Sequence, residues 1–429
     1  MALRPMACVL LLALTMTSAS AAGADFPEIF GWPTLDFEFP NDSARQQALS
    51  SNYFIPGNSQ PIDVQAVGDR VFITMPRWRD GIPATLAYVP LSPRECAGGG
   101  TCSPLLRPYP SWAWNTGDKE CDGLTSVFRV NVDKCGRLWV LDTGTVNILT
   151  RRRTICPAQL LSFDLTTNRL IRRYRFPKDA TKEGSLLVTL ALDTVSTANN
   201  CLNTYAYSAD VTAYGLVVTD TKRGNSWRIE NKLFYPYPTW GSFNINGDEF
   251  DLMDGVISLA IHPELNPRTR RLYFHALASA AENYVPTHTL QNKTEADTNP
   301  RAFVMLPGER SSQAAAAAFD SRGILFFGQL TRNSLACYNP NKPHSPANIH
   351  DVAKNDVTMQ FASGLKVDSN DKVWMMASKF SSYFLGKLNN NEVNFRVLAA
   401  PSRDLTRGTP CEEGTRDGSG VFTPAMRFH

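Results

Sequence analysis

Six apolar segments of this 429-residue sequence begin with polar side chains. These are Asp63 and Gln65, Asp122 and Thr125, Thr189, Asp254, Ser312 and Gln313, and Ser363. Asp122 and Asp254 each stand directly before a glycine. A carboxylate at the mouth of a buried segment can exchange a proton with a bound molecule. An Asp-Gly pair also makes a tight turn, and every one of these groups equally suits a strand-end hydrogen bond. Arg77 and Arg79, around Trp78 and ahead of Asp80-Gly81, would receive a substrate carboxylate or form an ion pair within their own blade. There is no P-loop, no GxGxxG in a βαβ unit and no GxSxG elbow. With six histidines and no CxxC or HxxxH spacing, no metal and no cofactor is expected. An axial calcium would rest on fold analogy alone.

The elements that must position these groups show in a repeat. A polar turn followed by a bulky apolar step recurs at Gly68–Ile73, Gly136–Leu141, Asn203–Tyr207, Arg270–Phe274, Arg322–Phe327 and Asp371–Met376. The mean spacing is about 60 residues, what a four-stranded blade with long loops needs. Another apolar segment precedes each step: Ile62–Ala66, Val127–Val132, Leu186–Leu192, Val256–Ile261, Ala314–Phe319 and Leu365–Val367. Each pair reads as two strands joined by a turn. Further hairpins are expected across Thr166–Arg169 and across Asn389–Glu392, the latter joining Tyr383–Leu388 to Val393–Leu398. Many of the runs are continuously apolar, which fits strands buried on both faces. The alanine run before Phe319 has helical propensity, but its place in the repeat makes it an inner strand at a crowded centre. The expected fold is all-β, a six-bladed β-propeller. Length alone would suggest roughly two to four domains; the repeat replaces them with one.

Residues 1–21 read as a secretory signal peptide, with Arg4 ahead of the apolar run Met6–Met16 and small residues at Ala19-Ser20-Ala21. The remaining 22–429 form one propeller domain, its core about 30–411, with a short tail. Eight cysteines follow the signal: Cys96, Cys102, Cys121, Cys135, Cys156, Cys201, Cys337 and Cys411. An even count in a secreted chain indicates disulfides; Cys96 and Cys102 flank a glycine-rich loop and can close on each other. Asn41 and Asn292 begin glycosylation sequons. No later stretch is long and apolar enough to span a membrane. The 43 basic and 40 acidic residues argue against a nucleic-acid partner, and Arg151-Arg152-Arg153 reads as a solvated loop.

Several long blocks, in order, resemble the insect yellow / major royal jelly protein family: Gly31–Phe37, Pro76–Leu86, Asp133–Gly144, Phe163–Thr167 with Arg172–Tyr174, Tyr205–Tyr207 with Tyr214–Leu216, and Leu272–Phe274. The similarity spans roughly 30–411. It implies a secreted six-bladed propeller, found in haemolymph or cuticle, and a small aromatic partner: dopachrome, a catecholamine or an indoleamine. The compact chain resembles the yellow-f kind, which implies dopachrome tautomerase activity in melanin formation, with Asp122 and Asp254 as candidate acid/base groups. The alternatives the family offers are a non-catalytic amine binder and a structural cuticle pigmentation protein. Amine-binding members use groups of the last blade that correspond to Ser363, Ser378 and Phe380; Gln313, at the start of its own strand, is a further candidate ligand-binding residue. They carry Thr and Asn where this chain has Ser363 and Ser378, a departure that weighs against amine binding. Phe380 would stack on an indole or catechol ring.

Overall fold

The computed structural model describes residues 26–92, 96, 101–116 and 121–412. The expected signal peptide (1–21) and the tail from 413 lie outside the described residues. Six four-stranded antiparallel sheets form the blades. Their inner strands are Asp63–Val67, Val127–Val132, Leu187–Ser196, Val256–Ile261, Ala314–Phe319 and Ala362–Val367. Each packs against the next, and the sixth packs against the first, so the ring closes around a channel. Closure also uses the chain's start. Glu28–Trp32 pairs with Phe395–Pro401 and so supplies the outer strand of the last blade.

Alternation across the second strand of each blade explains the continuous apolar runs. In Arg137–Asp142, Leu138 and Val140 pack toward the first blade, whereas Trp139 and Leu141 pack toward the third. In Lys372–Ser378, Trp374 and Met376 face the first blade, and Val373 and Met375 face the fifth. A strand sandwiched between two neighbours needs apolar side chains at every position. Full burial of each such side chain contributes about 1.5–3 kcal/mol.

The repeated polar turn is built around an aspartate. Asp133 Oδ1 accepts from the Cys135 and Arg137 N–H groups, and its Oδ2 accepts from Trp139 Nε1 at 2.7 Å. Asp368 repeats this with Asn370, Lys372 and Trp374, and Asp320 with Arg322 and Ile324. One carboxylate thus satisfies two turn donors and an indole at the end of an inner strand, which is why Asp and Trp recur together.

The alanine run is a strand, as its place in the repeat requires. The hairpin across Thr166–Arg169 forms between Gln159–Asp164 and Leu170–Arg175. The one expected across Asn389–Glu392 does not, because Phe380–Phe384 is a short helix. Phe380, Tyr383 and Phe384 stand at helical spacing and bury one face together. All eight cysteines pair: Cys96–Cys102, Cys121–Cys156, Cys135–Cys201 and Cys337–Cys411. Among the described residues no helix is long and apolar enough to cross a membrane.

Candidate functional site

A cavity of about 750 Å³ occupies the channel at the ends of the inner strands. Strand alternation decides what lines it. The third residues of five inner strands, Gln65, Arg129, Thr189, Ser258 and Ala316, form its lower ring. Above them stand the fifth residues Val67, Asn131, Ala191, Ala260, Ala318 and Lys366, the last of which extends its Nζ back toward Asp63 at the floor. The walls rise to the exposed turn residues Gly68, Lys134 and Ser369-Asn370, so the cavity is a cup open at this face.

Its floor is charged. Arg129 reaches across the channel and donates to the Ala315 carbonyl at 3.0 Å and the Ser363 carbonyl at 2.8 Å. Lys366 Nζ lies 3.3 Å from Asp63 Oδ2, which also accepts from the Val130 N–H. Burial pushes the Lys366 ammonium and the Arg129 guanidinium below their ordinary values, and Asp63 opposes the shift in both. Arg129 Nε, Asp63 Oδ1 and Ser258 Oγ are buried without a hydrogen-bond partner. Gly364 permits this crowding: a Cβ there would stand 2.8 Å from the Asp63 Cα. At the rim the carboxylates are already engaged, Asp193 by Arg270 and Gln291, and Asp133 by Arg137. His262 takes the turn position that aspartate holds in other blades, its Nδ1 accepting from the Glu264 N–H. Burial lowers its pKa, so it is neutral at pH 7.

The opposite mouth, where the inner strands begin, is closed. Trp78, Phe128, Phe243, Phe250, Phe361, Phe380 and Tyr383 join in one axial cluster. A hairpin of Ser242–Ile245 and Asp248–Asp251 lies across it. Asp248 pins the hairpin to the last blade by accepting from Ser382 Oγ and Lys387 Nζ, both at 2.7 Å. Arg79 adds a clasp, donating to the Tyr383 carbonyl and lying 4.4 Å over the Tyr383 ring.

The sequence-predicted residues divide accordingly. Phe380 stacks on Phe361 at 4.2 Å and meets Trp78 edge-on. Ser378 Oγ accepts from Gln60 Nε2 at 2.8 Å. Gln313 donates to the Trp240 and Ser242 carbonyls, tying down the base of the hairpin. Ser363 is buried, and its carbonyl holds Arg129. Trp78 Nε1, Ser59 Oγ and Gln60 Oε1 are buried here without partners. Asp254 is half-buried between the hairpin and the fourth inner strand; burial pushes its carboxyl up to about 7, with Arg152 opposing.

Asp122 is not at the mouth. It is an exposed residue at the outer edge of the second blade, 2.8 Å from Arg173 and 3.0 Å from Arg175, both on the outermost strand. The carboxylate that organises the start of that inner strand is Asp142, which accepts from the Thr125, Ser126 and Gly144 N–H groups. Nor is Arg77 free for a substrate or in an ion pair: it is spent on carbonyls of Ile82, Pro83, Leu124 and Thr125. The cup's own residues, Arg129 and Lys366 above all, were missed. The available signal was a lone charged residue, a cation, inside each of two otherwise uncharged inner strands. Both sequon asparagines are exposed helix N-caps, Asn41 accepting from the Ala44 N–H and Asn292 from the Glu295 N–H through Oδ1. Among the described residues no group of three or more His, Cys, Asp or Glu could hold a metal.

A family model described as "Major royal jelly protein" matches residues 125–411. The chain is 36% identical to Protein yellow of Drosophila madeirensis over 412 residues, 95% of this chain and 71% of that protein. It is 37% identical to Protein yellow of Drosophila yakuba, over 94% of this chain and 74% of the relative. Among solved structures, virginiamycin B lyase from Staphylococcus aureus matches with TM-score 0.40 and 10% identity, covering 79% of this chain and 95% of that one. A luciferin-regenerating enzyme matches with TM-score 0.42 and 9% identity, covering 80% and 91%. At such values nothing about function passes across.

Proposed function

Because the chain belongs to the yellow / major royal jelly protein family, we propose that it is an extracellular protein of melanin formation that converts dopachrome in the channel cup. The observation that carries this reading is the cup itself. It is open at one face, has room for a bicyclic aromatic molecule, and combines alanine walls with hydrogen-bonding groups. Dopachrome conversion asks little of a protein. A carbon-bound proton leaves from beside the carboxylate, with or without loss of carbon dioxide, while the quinone oxygens take up protons. Asn131 stands in the wall as an amide group for those oxygens, and His262 is a neutral proton acceptor at the rim. Purified protein should consume L-dopachrome faster than a buffer blank; an equal rate would overturn the reading. The four disulfides and the exposed sequons support export. A glycan on Nδ2 leaves Oδ1 free to cap each helix, so protein secreted from insect cells should shift in mass on endoglycosidase treatment.

One observation favours a second reading, a binder of catecholamines or indoleamines without turnover. Gln60, which holds Ser378, and its neighbour Ser59 keep Oε1 and Oγ unpartnered at the closed mouth, and an ammonium or catechol hydroxyl admitted by lifting of the hairpin would satisfy them. Calorimetric titration with dopamine and serotonin distinguishes the two; no heat at sub-millimolar ligand excludes the amine reading. Retention in the cuticle with neither turnover nor affinity would mark a structural protein.

A further inference from the structure

We propose that the floor of the cup is a carboxylate subsite, in which Lys366 and Arg129 select organic acids with a flat apolar body over amines and uncharged analogues. The inference rests on the reading that the cup is where the ligand binds, and it names the ligand's chemical class.

Three observations carry it. First, the charges do not cancel: two cations, Arg129 and Lys366, share one carboxylate, Asp63. The other lining carboxylates lie at the rim and have partners of their own, Asp193 with Arg270, Asp133 with Arg137, Asp368 with Trp374 and the turn amides, and Glu264 with the Asn266 N–H. The pair therefore leaves a net positive charge at the bottom of a pocket with low-dielectric walls, where an anion is held far more strongly than in water. Second, donors are left over. Arg129 uses one terminal nitrogen on two carbonyls while its Nε has no partner, and Ser258 Oγ is likewise unpartnered. A buried donor without an acceptor is costly, and a carboxylate would relieve it. Third, the rest of the wall is wrong for a bare inorganic ion. Ala191, Ala260, Ala316, Ala318 and Phe319 make an apolar lining much larger than such an ion needs. Lys366 is reachable, its side chain being 11% exposed.

Calorimetry with indole-2-carboxylate, indole-2-carboxamide, tryptamine and inorganic phosphate tests this on the intact chain. The carboxylate is expected to bind at least tenfold more tightly than the isosteric amide and than tryptamine. Equal affinity for acid and amide overturns the proposal, and this comparison needs no variant. Phosphate binding as tightly as the acid would also overturn it. Lys366→Met should lower affinity for the acid at least tenfold, and Lys366→Arg should restore most of it. Unchanged affinity in folded Lys366→Met would assign the selectivity elsewhere and sink the subsite. Arg129 is less suited to substitution because it also staples three blades. The two failures are separable. Carboxylate binding without dopachrome turnover keeps the subsite and removes the reaction. Dopachrome turnover with no preference for indole-2-carboxylate over its amide keeps the reaction and removes the subsite.

Discussion

The two ends of the channel are built from the same six strands yet have opposite characters. Where the strands begin, aromatic rings from several blades fill the axis and a hairpin is pinned over them. Where they end, small side chains leave a cup floored by two cations. The difference lies in which side chains alternate inward at each level. Phenylalanines and a tryptophan, most of them carried on the hairpin, the short helix and the segments between blades, close one mouth, while alanines at the third and fifth strand positions hold the other open. Dispersion and apolar burial make the first end a stability element. Unsatisfied donors and net charge suit the second to the ligand proposed for it.

The largest effect should come from attacking the closed end. Phe380→Ala removes a ring that touches Phe361, Trp78, Phe250 and Phe384. It should cost about 3–5 kcal/mol in denaturant unfolding, as for other buried Phe→Ala changes. A loss below ~1 kcal/mol would mean that this ring is a ligand platform and not a packing element.

Asp254 offers a pH test of the same end. Its carboxyl is held up at about 7, so the folded chain binds a proton there that the unfolded chain has released. Stability should therefore fall as pH rises from about 4 through 7. Asp254→Asn should flatten that decline and stabilise the protein by roughly 1–2 kcal/mol at pH 8, discounted for the side chain's remaining water contact. A stability profile identical in wild type and Asp254→Asn would remove Asp254 as a titrating group. Loss of dopachrome turnover in this variant would move the chemistry from the cup to the closed mouth.

The hairpin's latch gives a smaller signal. Burial pushes the Asp248 carboxyl up, but Lys387 and Ser382 more than offset this, and it sits below the usual range. Its contribution is then present above about pH 4 and lost on further acidification. Lys387→Met should cost under ~1 kcal/mol, because the ammonium is largely exposed. Amide exchange across Ser242–Asp251 should still quicken; unchanged exchange would show that the aromatic packing alone holds the hairpin. The smallest effect is expected at Asp122. Its exposed pairing with two arginines predicts that Asp122→Asn changes stability by no more than ~0.5 kcal/mol and leaves turnover intact.

Much of this architecture was legible in the residues. Asp133-Lys-Cys-Gly-Arg-Leu-Trp139 and Asp368-Ser-Asn-Asp-Lys-Val-Trp374 carry their turn chemistry within a few positions, so local sequence announces the blade. Asp122 misled for the converse reason. An Asp-Gly before an inner strand reads the same whether the loop comes in along the axis or, as here, from the blade's outer edge. Tyr383–Leu388 misled because Tyr383-Phe384-Leu385 suits a strand until Phe380, Tyr383 and Phe384 are matched, at helical spacing, to the axial cluster they cover.

The sequence by itself determined the repeat, the blade count, the family and which cysteines would be oxidised. Each follows from patterns within a blade, from blocks shared with the family, or from an even count of thiols after the expected signal peptide. Only the tertiary structure decided which end of the channel is open, that Arg129 spans it, and that Lys366 meets Asp63. Those residues are some 300 positions apart in the chain. Their meeting depends on closure of the ring, when Glu28–Trp32 joins the last blade and sets the first and last inner strands side by side.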